Sequence, residues 1–88
     1  MPDYQKLSIF IPTINETTLE EVVSAACHEA PGAEIIIIGY GDAERIATKH
    51  QTDFLDTKTK TPKSIGINLA MKRTSRDWII ILDADAIP

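Results

Sequence analysis

Short apolar runs alternate with helical patterns along the whole of this 88-residue chain. Uninterrupted apolar runs are typical of strands in a parallel sheet, whereas apolar positions three and four residues apart are typical of amphipathic helices. The strands predicted in this way are residues 7–12, 34–38, 52–55 and 77–82. The helices predicted between them are residues 19–30, 43–50 and 62–73.

This alternation predicts an α/β fold. Strand–helix–strand units form parallel sheets with right-handed crossovers and helices on both faces, so we expect a three-layer α/β/α arrangement of the Rossmann-like kind. We expect the four strands in the spatial order 3-2-1-4, in one domain. That order places a switch point between the first and fourth strands, where open α/β sheets bind their ligands.

Local signals support the helix starts. Thr18 and Glu21 have the spacing of a capping box at the start of the first helix. Asp42 is placed to cap the second helix. These residues are expected to satisfy backbone N–H groups of their own helices.

The third helix is predicted to begin at Pro62, which suits a first helical turn. Its apolar positions Ile65, Leu69 and Ala70 are expected to face the sheet. Gly66 costs about 1 kcal/mol relative to alanine inside a helix. A close approach of backbone or ligand is therefore expected at Gly66.

The fourth predicted strand ends in two carboxylates, Asp83 and Asp85. Its apolar run, 78–82, is typical of a strand buried on both faces. Side chains at i and i+2 of an extended chain point the same way, so the two aspartates can share one target. Neighbouring carboxylates must face water, pair with cations or hold a metal. A divalent ion is the functional interpretation, and a solvated acidic pair at a strand end is the alternative.

Composition excludes some classes of partner. The net charge is −4 and no basic stripe is present, which argues against a nucleic-acid partner. No apolar run reaches the length of a membrane span. The lone cysteine, Cys27, offers no disulfide framework, so we expect a reducing compartment and a cytoplasmic location.

Four segments together resemble the N-terminal half of a family 2 glycosyltransferase with the GT-A fold. They are 11–16 (IPTINE), 34–38 (EIIII), 63–68 (KSIGIN) and 77–85 (DWIIILDAD). The resemblance implies that residues 1–88 are the donor-binding part of a GT-A domain. The acceptor-binding part and the general base are then expected beyond Pro88, in a longer parent enzyme, and whether these 88 residues act alone as an enzyme stays open.

The resemblance also implies a nucleoside-diphosphate sugar, linked to UDP or GDP, as the donor. The residues that it assigns to the nucleotide sugar are Pro12, Thr13, Ile14, Glu16, Gly39, Tyr40, Lys63, Asn68 and Asp83. It assigns Asp83 and Asp85 to a divalent cation, Mg²⁺ or Mn²⁺.

Four of these positions differ in what their own surroundings favour. Lys63, near a helix N-terminus, adds positive charge where a phosphate is already favoured, or is simply a surface lysine. Asn68 lies in the middle of a helix, where asparagine is unfavourable, so a buried hydrogen-bonding role is expected. Gly39 stands where the family usually has an acid, which leaves uridine recognition open, and Tyr40 is expected to supply stacking instead.

Other classes stay open at this point. One is a non-catalytic nucleotide-binding or self-associating α/β module, and an exposed sheet edge makes a homo-oligomer an expectation. A nucleotidyltransferase would require a glycine-rich basic loop after the first strand, and residues 13–16 do not provide one. A receiver-like signalling domain would require an acidic pair after the first strand and a phosphoacceptor aspartate after the third, and this sequence lacks that layout.

Overall fold

The computed structural model describes residues 4–85. The strands are β1 (Leu7–Pro12), β2 (Glu34–Gly39), β3 (Asp53–Asp56) and β4 (Trp78–Ile81). The helices are α1 (Leu19–Glu29), α2 (Ala43–His50) and α3 (Lys63–Arg73), with a short 3₁₀ turn at Tyr4–Lys6. The predicted alternation is confirmed, with β3 displaced by one residue. Within the described ranges, none of the helices combines the length and apolar character that a membrane crossing requires.

The four strands form one parallel sheet in the order β3-β2-β1-β4, as predicted. In the registers, Pro12 lies opposite Ile38 of β2, and Phe10 lies opposite Ile81 of β4. The backbone N–H of Leu82 donates to the Phe10 carbonyl at 2.9 Å and extends the pairing by one residue. The carboxyl ends of β1, β2 and β4 therefore meet at one edge of the sheet.

The core lies on both faces of the sheet. Residues of α1 and α2 pack on one face, where the largest fully buried side chains are Ile11, Leu19, Ile37, Val22 and Val23. On the other face α3 packs over a smaller cluster of Phe10, Ile36, Ile38, Leu55 and Ala70. Helices on both faces of a four-stranded sheet make the predicted three-layer α/β/α architecture.

The face that α3 turns to the sheet differs from the prediction. Ile65 and Leu69 are 49% and 43% exposed, so their predicted burial is wrong, whereas Ala70 is fully buried as expected. A Cβ atom at Gly66 would lie 2.6 Å from Cγ2 of Ile38, which confirms the close approach expected there. Small residues let the α3 backbone approach β2. Ile67 packs partly against the cluster, whereas Ile65 and Leu69 lie on the exposed side of the helix.

β4 is less buried than its apolar sequence predicts. Trp78, Ile80 and Ile81 are 68%, 49% and 55% exposed. Among residues 4–85, β4 pairs with β1 alone and lies at the edge of the sheet. The prediction of a strand buried on both faces is therefore wrong for the described part of the chain.

The predicted side-chain caps are also wrong, although both helices begin where expected. Neither Thr18 nor Asp42 makes a side-chain cap hydrogen bond. Asp42 instead accepts two hydrogen bonds from the Arg45 guanidinium, each 3.0 Å long. This contact lowers the pKa of the Asp42 carboxyl below its usual value. The Thr18 hydroxyl has a different partner, described below.

Candidate functional site

The loop between β1 and α1 folds back over the end of β1. The Thr13 N–H donates to the Ile38 carbonyl at 2.9 Å, which continues the sheet pairing beyond Pro12. Asn15 then has φ 66°, a left-handed conformation that asparagine tolerates better than most residues. This reversal brings one carboxylate oxygen of Glu16 to the Thr13 hydroxyl and to the Ile14 N–H, which lies 2.8 Å away. The Glu16 carboxylate is thus fixed at the carboxyl end of β1.

The segment after β4 turns at once. Ala84 is fully buried in the core cluster of the α1 face, and Asp83 and Asp85 on either side of it are exposed. The Asp85 N–H donates to Oδ1 of Asp83 at 3.0 Å, as in an Asx turn. The two aspartates therefore converge through a turn and not through the extended geometry that the sequence predicts.

Three carboxylates meet between these two segments. Glu16, Asp83 and Asp85 each offer an oxygen, and these oxygens lie within 4.8 Å of one another. We call these three residues the carboxylate cluster. This proximity agrees with the switch point that the expected strand order places between the first and fourth strands.

The surroundings of the carboxylate cluster suit a hard cation. Within residues 4–85, no lysine, arginine or histidine forms an ion pair with any of its three members. Carboxylates that lie this close repel one another unless a cation neutralises them. Oxygen ligands are those that Mg²⁺ and similar divalent ions prefer. The donor set therefore fits the predicted Mg²⁺ or Mn²⁺.

Glu16 is the member that the sequence did not assign to the metal. The resemblance places Glu16 near the nucleoside, whereas the structure brings it to Asp83 and Asp85. The signal that could have revealed it is the strand order, because β1 and β4 are neighbours and their following residues must lie close.

Thr18 joins the two segments directly. Its hydroxyl donates to the Ala84 carbonyl at 2.7 Å and also lies 3.3 Å from Oδ1 of Asp85. The predicted capping role had assigned this hydroxyl to its own helix. The structure uses it to attach the start of α1 to the turn after β4.

Several of the predicted nucleotide-binding residues line a single narrow cavity. The cavity has a volume of about 10 Å³, which holds about one water molecule. Its lining includes Pro12 at the end of β1, Thr13 and Ile14 directly after it, and Lys63 and Gly66 of α3. A nucleobase is too large for this space, so these residues form a surface at the sheet edge and not an enclosed base pocket.

The packing at the end of β2 explains why glycine, and not an acidic residue, occupies position 39. A Cβ atom at Gly39 would lie 2.6 Å from Cγ2 of Thr13, so a side chain here requires Thr13 to move. The Gly39 carbonyl accepts hydrogen bonds from the Thr57 N–H at 2.8 Å and from its hydroxyl at 3.1 Å. Gly39 thus contributes backbone alone, and the neighbouring Tyr40 is half-buried.

The two α3 residues of the prediction are both exposed. Lys63 is the first residue of the helix, where it adds charge to the positive end of the helix dipole. Asn68 lies on the exposed surface one turn further along, so its predicted buried hydrogen-bonding role is wrong. The inward positions of α3 are taken by Gly66 and Ala70 instead.

A separate cavity of about 310 Å³ lies at the other edge of the sheet, beside the first residues of β2 and β3. Charged and polar side chains line it, among them Glu34, His50, Asp53 and Arg76. Cys27 also borders it, and burial raises the pKa of this thiol. In parallel α/β sheets ligands bind at the carboxyl ends of the strands, so this cavity is on the unfavoured side.

Comparison with known proteins gives one match. A family model described as "Glycosyl transferase family 2" matches residues 8–88. The match includes β1 to β4 and all three members of the carboxylate cluster. Neither the curated proteins nor the solved structures contain a match to the chain.

Proposed function

The chain belongs to glycosyl transferase family 2, and from this premise we propose that it binds a nucleoside-diphosphate sugar through a divalent cation held by the carboxylate cluster. In this proposal residues 1–88 are the donor-binding part of a GT-A domain. The sugar is transferred from the nucleotide to an acceptor.

The observation that carries the proposal is the convergence of Glu16, Asp83 and Asp85 to within 4.8 Å without a cationic partner in the described residues. Asp83 and Asp85 are the residues that the family resemblance assigns to the metal, and Glu16 adds a third oxygen ligand. The cluster also lies beside the edge of the sheet where nucleotides bind in open α/β folds.

The chemistry of glycosyl transfer explains why such a site is useful. Breaking the bond between the anomeric carbon and the diphosphate oxygen leaves growing negative charge on the nucleoside diphosphate. A divalent cation supplies the charge neutralisation that this leaving group needs. The task of the three carboxylates is to hold that cation at the strand ends, where the diphosphate is expected.

Other residues contribute the surface on which the nucleotide lies. Pro12 ends β1, and Thr13 and Ile14 follow it. These three residues offer backbone and apolar contacts to the nucleoside. Tyr40, after β2, offers an aromatic face for stacking. Lys63 and the N-terminus of α3 offer positive charge to a phosphate. We assign Gly39 a backbone role, because Thr13 occupies the space of any side chain there.

The proposal is tested by calorimetry on the 88-residue chain with UDP and with GDP, each with and without Mn²⁺. We expect one of the two nucleotides to bind when Mn²⁺ is present and neither to bind in its absence. Asp85→Asn removes one charged ligand and is expected to weaken nucleotide binding by about 100-fold.

Asp77→Asn is the matched control. Asp77 is an exposed aspartate at the other end of β4, so its substitution should leave the affinity unchanged. Nucleotide binding that survives Asp85→Asn at full strength, or that is lost equally in Asp77→Asn, would refute the metal role of the carboxylate cluster.

A further inference from the structure

The Thr18 hydroxyl makes a contact that neither helix capping nor nucleotide binding explains. Thr18 lies directly before α1, and its hydroxyl reaches the Ala84 carbonyl, 66 residues further along the chain, at 2.7 Å. Oδ1 of Asp85 lies 3.3 Å from the same hydroxyl. A hydroxyl has a single proton to donate, so the shorter contact is the main bond and the longer one is secondary.

Both ends of this bond are anchored in the core. Leu19, which follows Thr18, is fully buried, and Ala84 is fully buried in the same cluster. The Thr18 carbonyl accepts the N–H of Val22 at 3.1 Å, so its backbone serves the helix while its side chain does not. The hydroxyl is therefore held at a fixed place relative to β1 and α1.

The turn after β4 has few other attachments. The last hydrogen bond of the sheet on this side is the one from the Leu82 N–H to the Phe10 carbonyl. Beyond it, Asp85 and Asp83 bond to each other. As far as the described residues go, the hydrogen bonds that reach residues 83–85 from another segment come from Thr18.

We propose that Thr18 is a positioning residue, whose hydroxyl fixes the turn after β4 so that Asp85 faces Glu16 and Asp83. The inference rests on the proposed function, because it concerns the cation site of the carboxylate cluster. Mutual repulsion of three carboxylates favours an open turn when no cation is bound. The Thr18 hydroxyl opposes that opening and so raises the affinity of the site for its cation.

The test is the affinity of the chain for Mn²⁺ alone, measured by titration with electron paramagnetic resonance of the free ion. Thr18→Val keeps the shape of the side chain and removes the donor, and we expect it to weaken Mn²⁺ binding about tenfold. Thr18→Ser keeps the hydroxyl and is expected to retain the affinity of the unsubstituted chain.

Thr48→Val is the matched control. The Thr48 hydroxyl also donates to a backbone carbonyl, that of Glu44 at 3.0 Å, but on the exposed surface of α2. We expect this substitution to leave Mn²⁺ binding unchanged. Urea unfolding of each variant, run beside the titration, gives the folded fraction to which the affinity is referred.

The outcomes separate the two proposals. If the unsubstituted chain binds no Mn²⁺, the proposed cation site itself fails. If that chain binds Mn²⁺ and folded Thr18→Val binds it equally well, Thr18 has a structural role alone and the inference is overturned.

If Thr18→Val does not fold, Thr18→Cys replaces it, since a thiol is a weak donor. Affinity lower in Thr18→Cys than in Thr18→Ser supports the inference, and equal affinity overturns it.

Discussion

β1 and β4 have similarly apolar sequences and both lead into the carboxylate cluster, but the protein surrounds them differently. β1 lies between β2 and β4, and its residues Ile9, Phe10 and Ile11 are at most 5% exposed. β4 has one neighbouring strand within the described residues, and most of its side chains are exposed. An apolar run thus specifies a strand, whereas burial depends on what the rest of the chain places beside it.

The same difference extends to the two halves of the site. Glu16, after β1, is held by bonds inside its own loop, from the Thr13 hydroxyl and the Ile14 N–H. The turn that carries Asp83 and Asp85 depends on the burial of Ala84 and on the Thr18 hydroxyl. One half of the site is therefore built locally, and the other half is held by distant parts of the chain.

The largest expected effect tests the unequal burial of the two strands. Phe10→Ala removes a fully buried ring from β1, and we expect it to lower the free energy of unfolding by about 3–5 kcal/mol. Ile81→Ala lies opposite on β4 and is 55% exposed, so we expect a loss of about 0.5 kcal/mol. Urea unfolding measures both losses of free energy. Equal losses would contradict the conclusion that β1 is buried and β4 is exposed.

A smaller effect tests the local construction of the β1 half. Gly39→Ala forces its new methyl group against Cγ2 of Thr13, and we expect a loss of about 1–3 kcal/mol in unfolding free energy. Thr13→Ser removes that methyl group and keeps the hydroxyl that binds Glu16. In the double variant the loss caused by Gly39→Ala should therefore largely disappear.

A double-mutant cycle from urea unfolding of the four proteins measures this coupling. Strictly additive losses of unfolding free energy would show that the side chain introduced at position 39 makes no steric contact with Thr13. Mn²⁺ affinity of the same four proteins then shows whether a displaced Thr13 disturbs Glu16.

The smallest effect concerns a partly exposed contact between α1 and α2. Glu20 of α1 lies 2.6 Å from Nζ of Lys49 and 3.0 Å from Nε2 of His50, at the end of α2. Hydrogen bonds from Lys49 and then His50 lower the pKa of the Glu20 carboxyl below its ordinary value of 4.5. Because the folded pKa is lowered, the stabilisation is present above pH 4.5 and is lost as the pH falls through the folded pKa.

The measurement is thermal unfolding of the unsubstituted chain and of Glu20→Gln, from neutral pH down through the folded pKa of Glu20. We expect the unsubstituted chain to be slightly more stable near neutral pH. This advantage should shrink in acid and also in high salt, since the contact is partly exposed to solvent. A difference that stays constant with pH would show that the Glu20 charge does not link α1 to α2.

Much of the fold could be predicted because it follows from local patterns. The parallel sheet and its two helix layers follow from the alternation of strands and helices. The same alternation permits more than one strand order, and the structure has the expected one, which brings the ends of β1 and β4 together. The inward face of α3 could not be predicted, since the choice of Gly66 and Ala70 over Ile65 and Leu69 depends on how closely the helix approaches Ile38.

The contacts of the site were less predictable than the fold. Thr18 and Glu21 have the spacing of a capping box, and nothing local distinguishes that role from a bond to Ala84. Glu16 likewise joins Asp83 and Asp85 only because the loop after β1 folds back, and the sequence pattern does not show that conformation. Both features arise from segments more than sixty residues apart in the chain.

The most direct test of the carboxylate cluster is paramagnetic broadening of backbone amide signals by traces of Mn²⁺, followed in ¹⁵N-resolved NMR spectra of the 88-residue chain. We expect the amides of Ile14, Glu16, Asp83 and Asp85 to broaden together and first, because one ion lies between the two segments. Broadening in one segment alone, or centred on a different acid such as Asp42, would contradict a cation site at the carboxylate cluster.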